Sequence, residues 1–221
     1  MCGRYSLTRL PESEVLVSQE GDLLTWSPRY NIAPSNLCPV KSMHEPDMLR
    51  LYRWGLVPFW AKDEKIGFKL INARAETLTE KPSFRNAFAK NRCLVYADSF
   101  YEWKTEGKEK QPYRIQVDDG KVFMMAGLTE FWKSPEGKPV FSFTIITTSP
   151  NELMGKVHDR MPVILDDAAA GYWLDPGLSA GDAQSLLSPF PADAMSMVPV
   201  EKAVGNVRND YPFDEVKGKS F

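Results

Sequence analysis

The sequence predicts a single α+β domain, with a largely antiparallel β-sheet core and short flanking helices. Three observations carry this expectation. Candidate strands are short and outnumber candidate helices. They do not alternate with helices as βαβ units would. Pro (17) and Gly (14) are spread through 221 residues without a linker-like stretch, an internal repeat or a low-complexity segment. A chain of this length suits one domain, whose core buries about 70% of the unfolded surface.

The strand candidates are rich in aliphatic and aromatic residues: 49–57, 92–100, 113–117, 122–128, 140–148 and 195–200. Helix signals are fewer. In 81–90, Phe84 and Phe88 stand four apart with Pro82 near the start. Ser149-Pro150-Asn151-Glu152 has a capping-box pattern with Pro at the first helical position, so a helix is expected from Ser149. Segments 166–174 and 179–187 also read as helical. The domain is expected to span 1–221, with about 206–221 as a loosely ordered tail.

Composition excludes several classes. No apolar run approaches the ~18 residues of a membrane span. The first 14 residues carry Arg4, Arg9, Glu12 and Glu14 and no apolar h-region, unlike a signal peptide. Three cysteines, an odd and sparse count, fit a reducing cytoplasm better than a disulfide framework. Cys38 and Cys93 read as buried small hydrophobes, Trp26, Trp132 and Trp173 as core, and His44 as surface.

The total charge of −2 hides an uneven distribution. Residues 50–92 hold 10 basic and 4 acidic side chains, a net +6, whereas 163–221 hold 4 and 9, a net −5. Trp54, Phe59, Trp60 and Phe68 lie within the basic stretch. Interleaved cations and rings suit single-stranded nucleic acid, where phosphates are tracked and bases stack. A solvated charged surface over ordinary core aromatics has the same composition.

Cys2 carries the most specific chemistry. Removal of Met1 would leave a cysteine with a free α-amine and a thiol two carbons apart. An α-amine titrates near ~7.7–8.0, against ~10.4 for lysine, so part of it is nucleophilic near neutral pH. An aldehyde condenses with such an amine to an imine. The thiol then closes a five-membered thiazolidine, favoured because the closure is intramolecular.

The residues that follow narrow the reading. Met1-Cys2-Gly3-Arg4-Tyr5 precedes Arg29-Tyr30-Asn31-Ile32-Ala33-Pro34-Ser35, then Arg53-Trp54-Gly55-Leu56-Val57-Pro58 and Asn72-Ala73-Arg74-Ala75-Glu76. Tyr101-Glu102-Trp103 and His158-Asp159-Arg160-Met161-Pro162-Val163 complete the series. In this order the motifs resemble those of the SRAP family (SOS response-associated peptidase; abasic-site processing proteins), from residue 1 to about 205. The resemblance implies a protein that binds single-stranded DNA and captures the ring-opened aldehyde of an abasic site on Cys2 as a thiazolidine crosslink. It further implies autocatalytic removal of Met1, some lyase activity through the imine, and no metal or organic cofactor. A cytoplasmic monomer, on the nucleoid when crosslinked and without membrane attachment, is expected.

Carried over by motif, Asn72 would position the amine or the opened sugar through a neutral amide. Glu102, flanked by two large rings, would have a raised pKa and serve as general acid–base. His158, following the helix expected from Ser149, would be a proton donor favoured by the helix dipole. Arg4, Arg74 and Arg160 would hold the flanking phosphates, with Arg85, Arg53 and Lys69 as further basic candidates. Asn31, Pro34, Trp54, Trp60 and Thr148 complete the expected DNA contacts, by backbone contact, wedging and stacking. Two rivals fit parts of the pattern. An N-terminal-nucleophile amidohydrolase also begins Met-Cys-Gly, but here Arg-Tyr-Ser follows where small aliphatics usually do. A non-covalent single-strand binder would not need Cys2.

Overall fold

Strand-forming stretches pair into two sheets in a computed structural model that describes residues 2–217. One sheet has five strands, in the order Met195–Pro199, Glu109–Val117, Ser99–Glu106, Tyr5–Leu7 and Arg29–Ile32, all antiparallel. The other has nine. Within it, Pro139–Thr148, Phe123–Lys133, Arg92–Ala97, Leu37–Ser42 and Glu45–Trp54 pair in turn. Glu45–Trp54 then pairs in parallel with Pro139–Thr148, so these five strands close into a small barrel. Asn72–Arg74 adds to Pro139–Thr148 in parallel, outside that ring. The fold is the expected α+β class, mostly sheet and largely antiparallel, with short helices.

Aromatic packing joins the two sheets. Tyr5, from the five-stranded sheet, meets the Trp54 ring edge-on at 5.2 Å, and Trp54 stacks on Phe143 at 6.3 Å. The glycine after Trp54 has its own reason. Gly55 sits at φ +119, and a Cβ there would lie 2.7 Å from the Gly67 carbonyl oxygen. Gly55→Ala is therefore expected to cost about 2–3 kcal/mol, through backbone strain and the displaced segment. A urea unfolding curve would show the midpoint shift; an unchanged midpoint would refute this account of the motif.

The helices are Arg85–Lys90, Asp167–Leu174 and Ala180–Ser185. Asp166 and Ser179 cap the latter two, accepting from Ala169 N (2.8 Å) and Asp182 N (3.1 Å). Arg92 is buried and ties two helix ends together, donating to Trp173 O (2.8 Å), Asp175 O (2.6 Å) and Phe88 O (3.2 Å).

Three expectations are corrected. The strand expected over 92–100 divides at Asp98, where the chain leaves the barrel for the five-stranded sheet. Asp98 is held there by Thr8 N (2.6 Å) and by the Ser6 hydroxyl. The helix expected from Ser149 is a single turn, Met154–Lys156, begun at Leu153 rather than Ser149, with Met154 N donating to Asn151 Oδ1 at 2.9 Å. The segment expected as a loose tail is mostly exposed through residue 217 but is anchored at single residues. Phe213 is buried against Tyr101, Val200 and Val204, and Asp210 accepts from Tyr30 N (2.6 Å) and Asn31 N (3.0 Å). The acidic composition of this segment obscured one apolar anchor and one carboxylate that caps a strand. Residues 218–221 lie outside the described residues.

Candidate active site and nucleic-acid interface

Strand register delivers Cys2 to its neighbours. Tyr5 pairs with Phe100 and Ser6 with Ser99, and Tyr101 N donates to Arg4 O at 3.0 Å. Continued toward the chain start, this register sets Gly3 across from Glu102. Cys2 is wholly buried, its thiol directed at Arg4 O (3.8 Å). Asn72 Nδ2 donates to Cys2 O at 2.8 Å, which joins the chain start to the edge of the barrel. Burial, reinforced by the negative Glu102, pushes the thiol far above its ordinary range, against the pull of the positive amino terminus. The sulfur is therefore a neutral thiol at neutral pH.

Glu102 is 3% exposed, and burial raises its carboxyl pKa, opposed by the amino terminus and then by His158. The direction is the one anticipated, but the flanking rings are not its cause. Side chains alternate along a strand, so Tyr101 and Trp103 lie on the opposite face, packed with Val200, Val204 and Phe213. Glu102 shares its face with Phe100, toward the protein interior.

The same period of two works in Asn72–Arg74. Ala73 is buried in the core, which turns Asn72 and Arg74 the other way. The Asn72 Oδ1 is buried and has no hydrogen-bond partner among the described residues, leaving an acceptor available. His158 follows the single turn, its amide donating to Met154 O at 2.9 Å. The Met154–Lys156 turn before it is a single turn, which has little macrodipole. The Arg160 amide donates to His158 Nδ1 at 3.0 Å, and the Asp159 carboxylate lies 2.9 Å from the same nitrogen. Asp159 is 85% exposed, so the backbone bond is the better shielded of the two contacts.

The expected DNA contacts divide. Arg4 is half-buried beside Cys2 and donates to Gly3 O and Gly205 O, both at 3.3 Å. Arg74 and Arg85 are exposed. Trp60 is 47% and its neighbour Phe59 60% exposed, so two rings face solvent. Pro34 is half-buried at a turn whose next residue, Ser35, has φ 72 and donates to Trp54 O at 2.8 Å. Arg160 is occupied by Glu76 and by Thr147 O.

Three of these residues do not form a surface. Trp54 is 1% exposed, stacks on Phe143 and donates from Nε1 to Ile71 O at 2.9 Å, so no base can stack on it. Asn31 is buried, and its Nδ2 lies within 2.8–3.1 Å of the carbonyls of Val204, Asn206 and Asn209. It holds the segment that also meets Arg4. Thr148 is 5% exposed, in the ladder opposite Met161. The basic stretch thins in the same way. Arg92 is structural, Arg50 pairs with Glu45 (2.7 Å), and Arg53 pairs with Glu64 (2.8 Å) while lying over the Phe68 ring at 5.7 Å. Glu76 is a further residue of this surface, and its signal in the sequence is a carboxylate two residues after Arg74. Among the described residues, no three His, Cys, Asp or Glu side chains form a metal-ligating group, and no helix is long and apolar enough to cross a membrane.

Buried Cys2 thus has an amide hydrogen-bonded to its carbonyl and a buried carboxylate acting on its thiol, with an imidazole acting on that carboxylate, where a small barrel meets a five-stranded sheet. The chain belongs to the family described as SOS response associated peptidase (SRAP), which it matches over residues 1–207. It is 47% identical over 223 residues to abasic site processing protein YoqW of Bacillus subtilis (strain 168), covering 96% of this chain and 97% of that protein. It is 32% identical over 259 residues to abasic site processing protein HMCES of Xenopus tropicalis, covering 96% of this chain and 77% of that protein. A crystal structure of a protein from Bacteroides thetaiotaomicron superposes with a TM-score of 0.76 at 35% identity, covering 79% of each chain.

Proposed function

We propose that this chain is an abasic-site processing protein that binds single-stranded DNA and forms a thiazolidine crosslink through Cys2. The observation that carries the reading is the enclosure of Cys2. Asn72 holds its carbonyl at 2.8 Å, and a buried Glu102 is close enough to raise its thiol pKa. After Met1 is removed, the α-amine of Cys2 lies in the field of Glu102, and the open Oδ1 of Asn72 is an acceptor for it.

The steps follow from these groups. His158 gives a proton to the ring oxygen of the abasic sugar and takes up the one lost by the C1′ hydroxyl, so the ring C1′–O bond breaks to leave the C1′ aldehyde and a hydroxyl. The unprotonated amine adds to C1′, its excess proton passing to Glu102. Glu102 delivers that proton to the alkoxide oxygen, forming the carbinolamine, and then carries the second proton of the nitrogen to the hydroxyl, which leaves as water and gives the neutral imine. The Cys2 sulfur then bonds to C1′ while the thiol proton moves to the imine nitrogen, closing the ring. The imine also allows β-elimination of the 3′ phosphate, the lyase side reaction. Autocatalytic loss of Met1 would use the same Cys2 and Glu102. Arg4, Arg74, Arg85 and Arg160 hold phosphates, with Trp60 and Pro34 beside the strand. The protein works as a monomer in the cytoplasm, on the nucleoid while crosslinked.

Intact-mass measurement after incubation with an oligonucleotide bearing one abasic site tests the reading. The expected product has the combined mass less one water, with Met1 absent. An unmodified protein mass, from a preparation that has lost Met1, would overturn it. Release of ammonia from glutamine would instead support the amidohydrolase rival.

A further inference from the structure

We propose that Glu76 is an intramolecular stand-in for a DNA phosphate: its carboxylate covers the outward edge of Arg160 beside Arg74, and DNA must displace it. The proposal rests on the reading that Arg74 and Arg160 hold phosphates.

The geometry of Arg160 separates an inner from an outer edge. Inside, Nη2 donates to Thr147 O at 2.6 Å. Outside, Nη1 and Nη2 grip the two Glu76 oxygens at 2.7 and 2.9 Å. The Arg160 side chain is 12% exposed and Glu76 52%, so the carboxylate lies on the solvent side of the guanidinium. This bidentate fork is the one arginine offers to a phosphate. Glu76 belongs to the Ala75–Thr77 turn, directly after the strand that carries Asn72 and Arg74. Its carboxyl is held below the ordinary range chiefly by the Arg160 hydrogen bonds, with smaller contributions from the charges of Arg160 and Arg74. One anion thus occupies Arg160 and stands two residues along the chain from Arg74.

The consequence is selectivity. A phosphate reaching Arg160 must replace an equivalent carboxylate, which then stands beside the DNA as a repelling charge. Undamaged single strands depend on such phosphate contacts alone, so they bear the whole penalty. An abasic strand is additionally retained by a covalent bond. Glu76 therefore restrains binding to undamaged DNA and leaves capture of lesions in force.

The test is fluorescence anisotropy with an undamaged single-stranded oligonucleotide, for wild type, Glu76→Gln, Glu76→Ala, Arg160→Ala and the Glu76→Gln/Arg160→Ala double variant. Glu76→Gln and Glu76→Ala are expected to tighten binding about three- to ten-fold at low salt, with the gain fading as salt rises. In the Arg160→Ala background the gain should fall to about two-fold or less, the remainder coming through Arg74. If Arg160→Ala weakens binding while both Glu76 variants weaken it or leave it unchanged, the pair is only structural and the inference is overturned, with the phosphate reading intact. If Arg160→Ala leaves affinity unchanged, the phosphate reading of Arg160 fails and the inference fails with it.

Discussion

One residue inserted between Met1 and Cys2 is expected to abolish the heat- and SDS-stable adduct with abasic DNA, while the denaturation midpoint stays at the wild-type value. The insertion leaves every side chain of the site in the sequence. What it removes is the chain-end amine. The nitrogen of Cys2 becomes an amide, whose lone pair is delocalised into the carbonyl and cannot attack an aldehyde. The thiol cannot substitute as the first nucleophile. It is wholly buried and its pKa is pushed far up, chiefly by that burial, so at neutral pH it is not a thiolate. The amine must therefore act first, and the sulfur adds only after C1′ is tethered next to it, where effective molarities of ~10⁵–10⁸ M offset its low reactivity. Cys2→Ser separates the two steps. It is expected to give no stable adduct, yet to yield an imine that borohydride traps. An SDS-stable band from the inserted variant, with its extra residue verified by mass, would refute the order of events and the role of the amine together.

The residues gathered at Cys2 stand in motifs legible in the sequence, but the faces on which side chains project were legible only in part. Cys2, Asn72, Glu102 and His158 each stand in a short motif, and the structure places Asn72 against Cys2 and Glu102 in its field. Trp54 and Asn31, expected on the DNA-facing surface, project inward. A strand-end tryptophan between an arginine and a glycine carries no mark of which side the barrel will close on. Asn31 is fixed by carbonyls 173 to 178 residues away in sequence, beyond any local pattern. The capping pattern at Ser149 was a sound local signal that tertiary structure overrode. The Met161–Pro162 pairing with Thr147 and Thr148 requires the chain to turn back after one turn. The tail failed for a different reason. Net charge describes a segment's average, whereas Phe213 and Asp210 act singly. Composition likewise exaggerated the basic stretch, because Arg50, Arg53 and Arg92 are bound to protein groups.

Glu102→Gln is expected to slow crosslinking by ~10²–10⁴ and, at neutral pH, to make the protein more stable. The two effects share one cause. Burial, the largest influence, holds the Glu102 carboxyl above its ordinary value of 4.5, although the amino terminus and His158 pull it down. A raised folded-state pKa means that the native protein binds more protons than the unfolded chain in the interval between the two values. Stability from this group is then fully present below the ordinary carboxylate range and is lost as pH rises through the folded pKa. Near neutrality the ionised carboxylate is a burden on the fold, kept where a base is needed. Glutamine preserves the shape and removes the charge. The wild-type and Glu102→Gln proteins should thus melt alike at low pH and diverge as pH rises, the variant melting higher by ~2–4 °C for each kcal/mol relieved. Wild-type crosslinking should meanwhile accelerate over that pH interval as Glu102 ionises, and the variant should lack that limb of the profile. A carboxylate retained for structure would behave oppositely: its replacement would lower the melting temperature and leave the rate unchanged. Thermal melts and single-turnover crosslinking rates across the same buffers discriminate the two roles, and a variant that reacts at the wild-type rate would remove Glu102 from the chemistry.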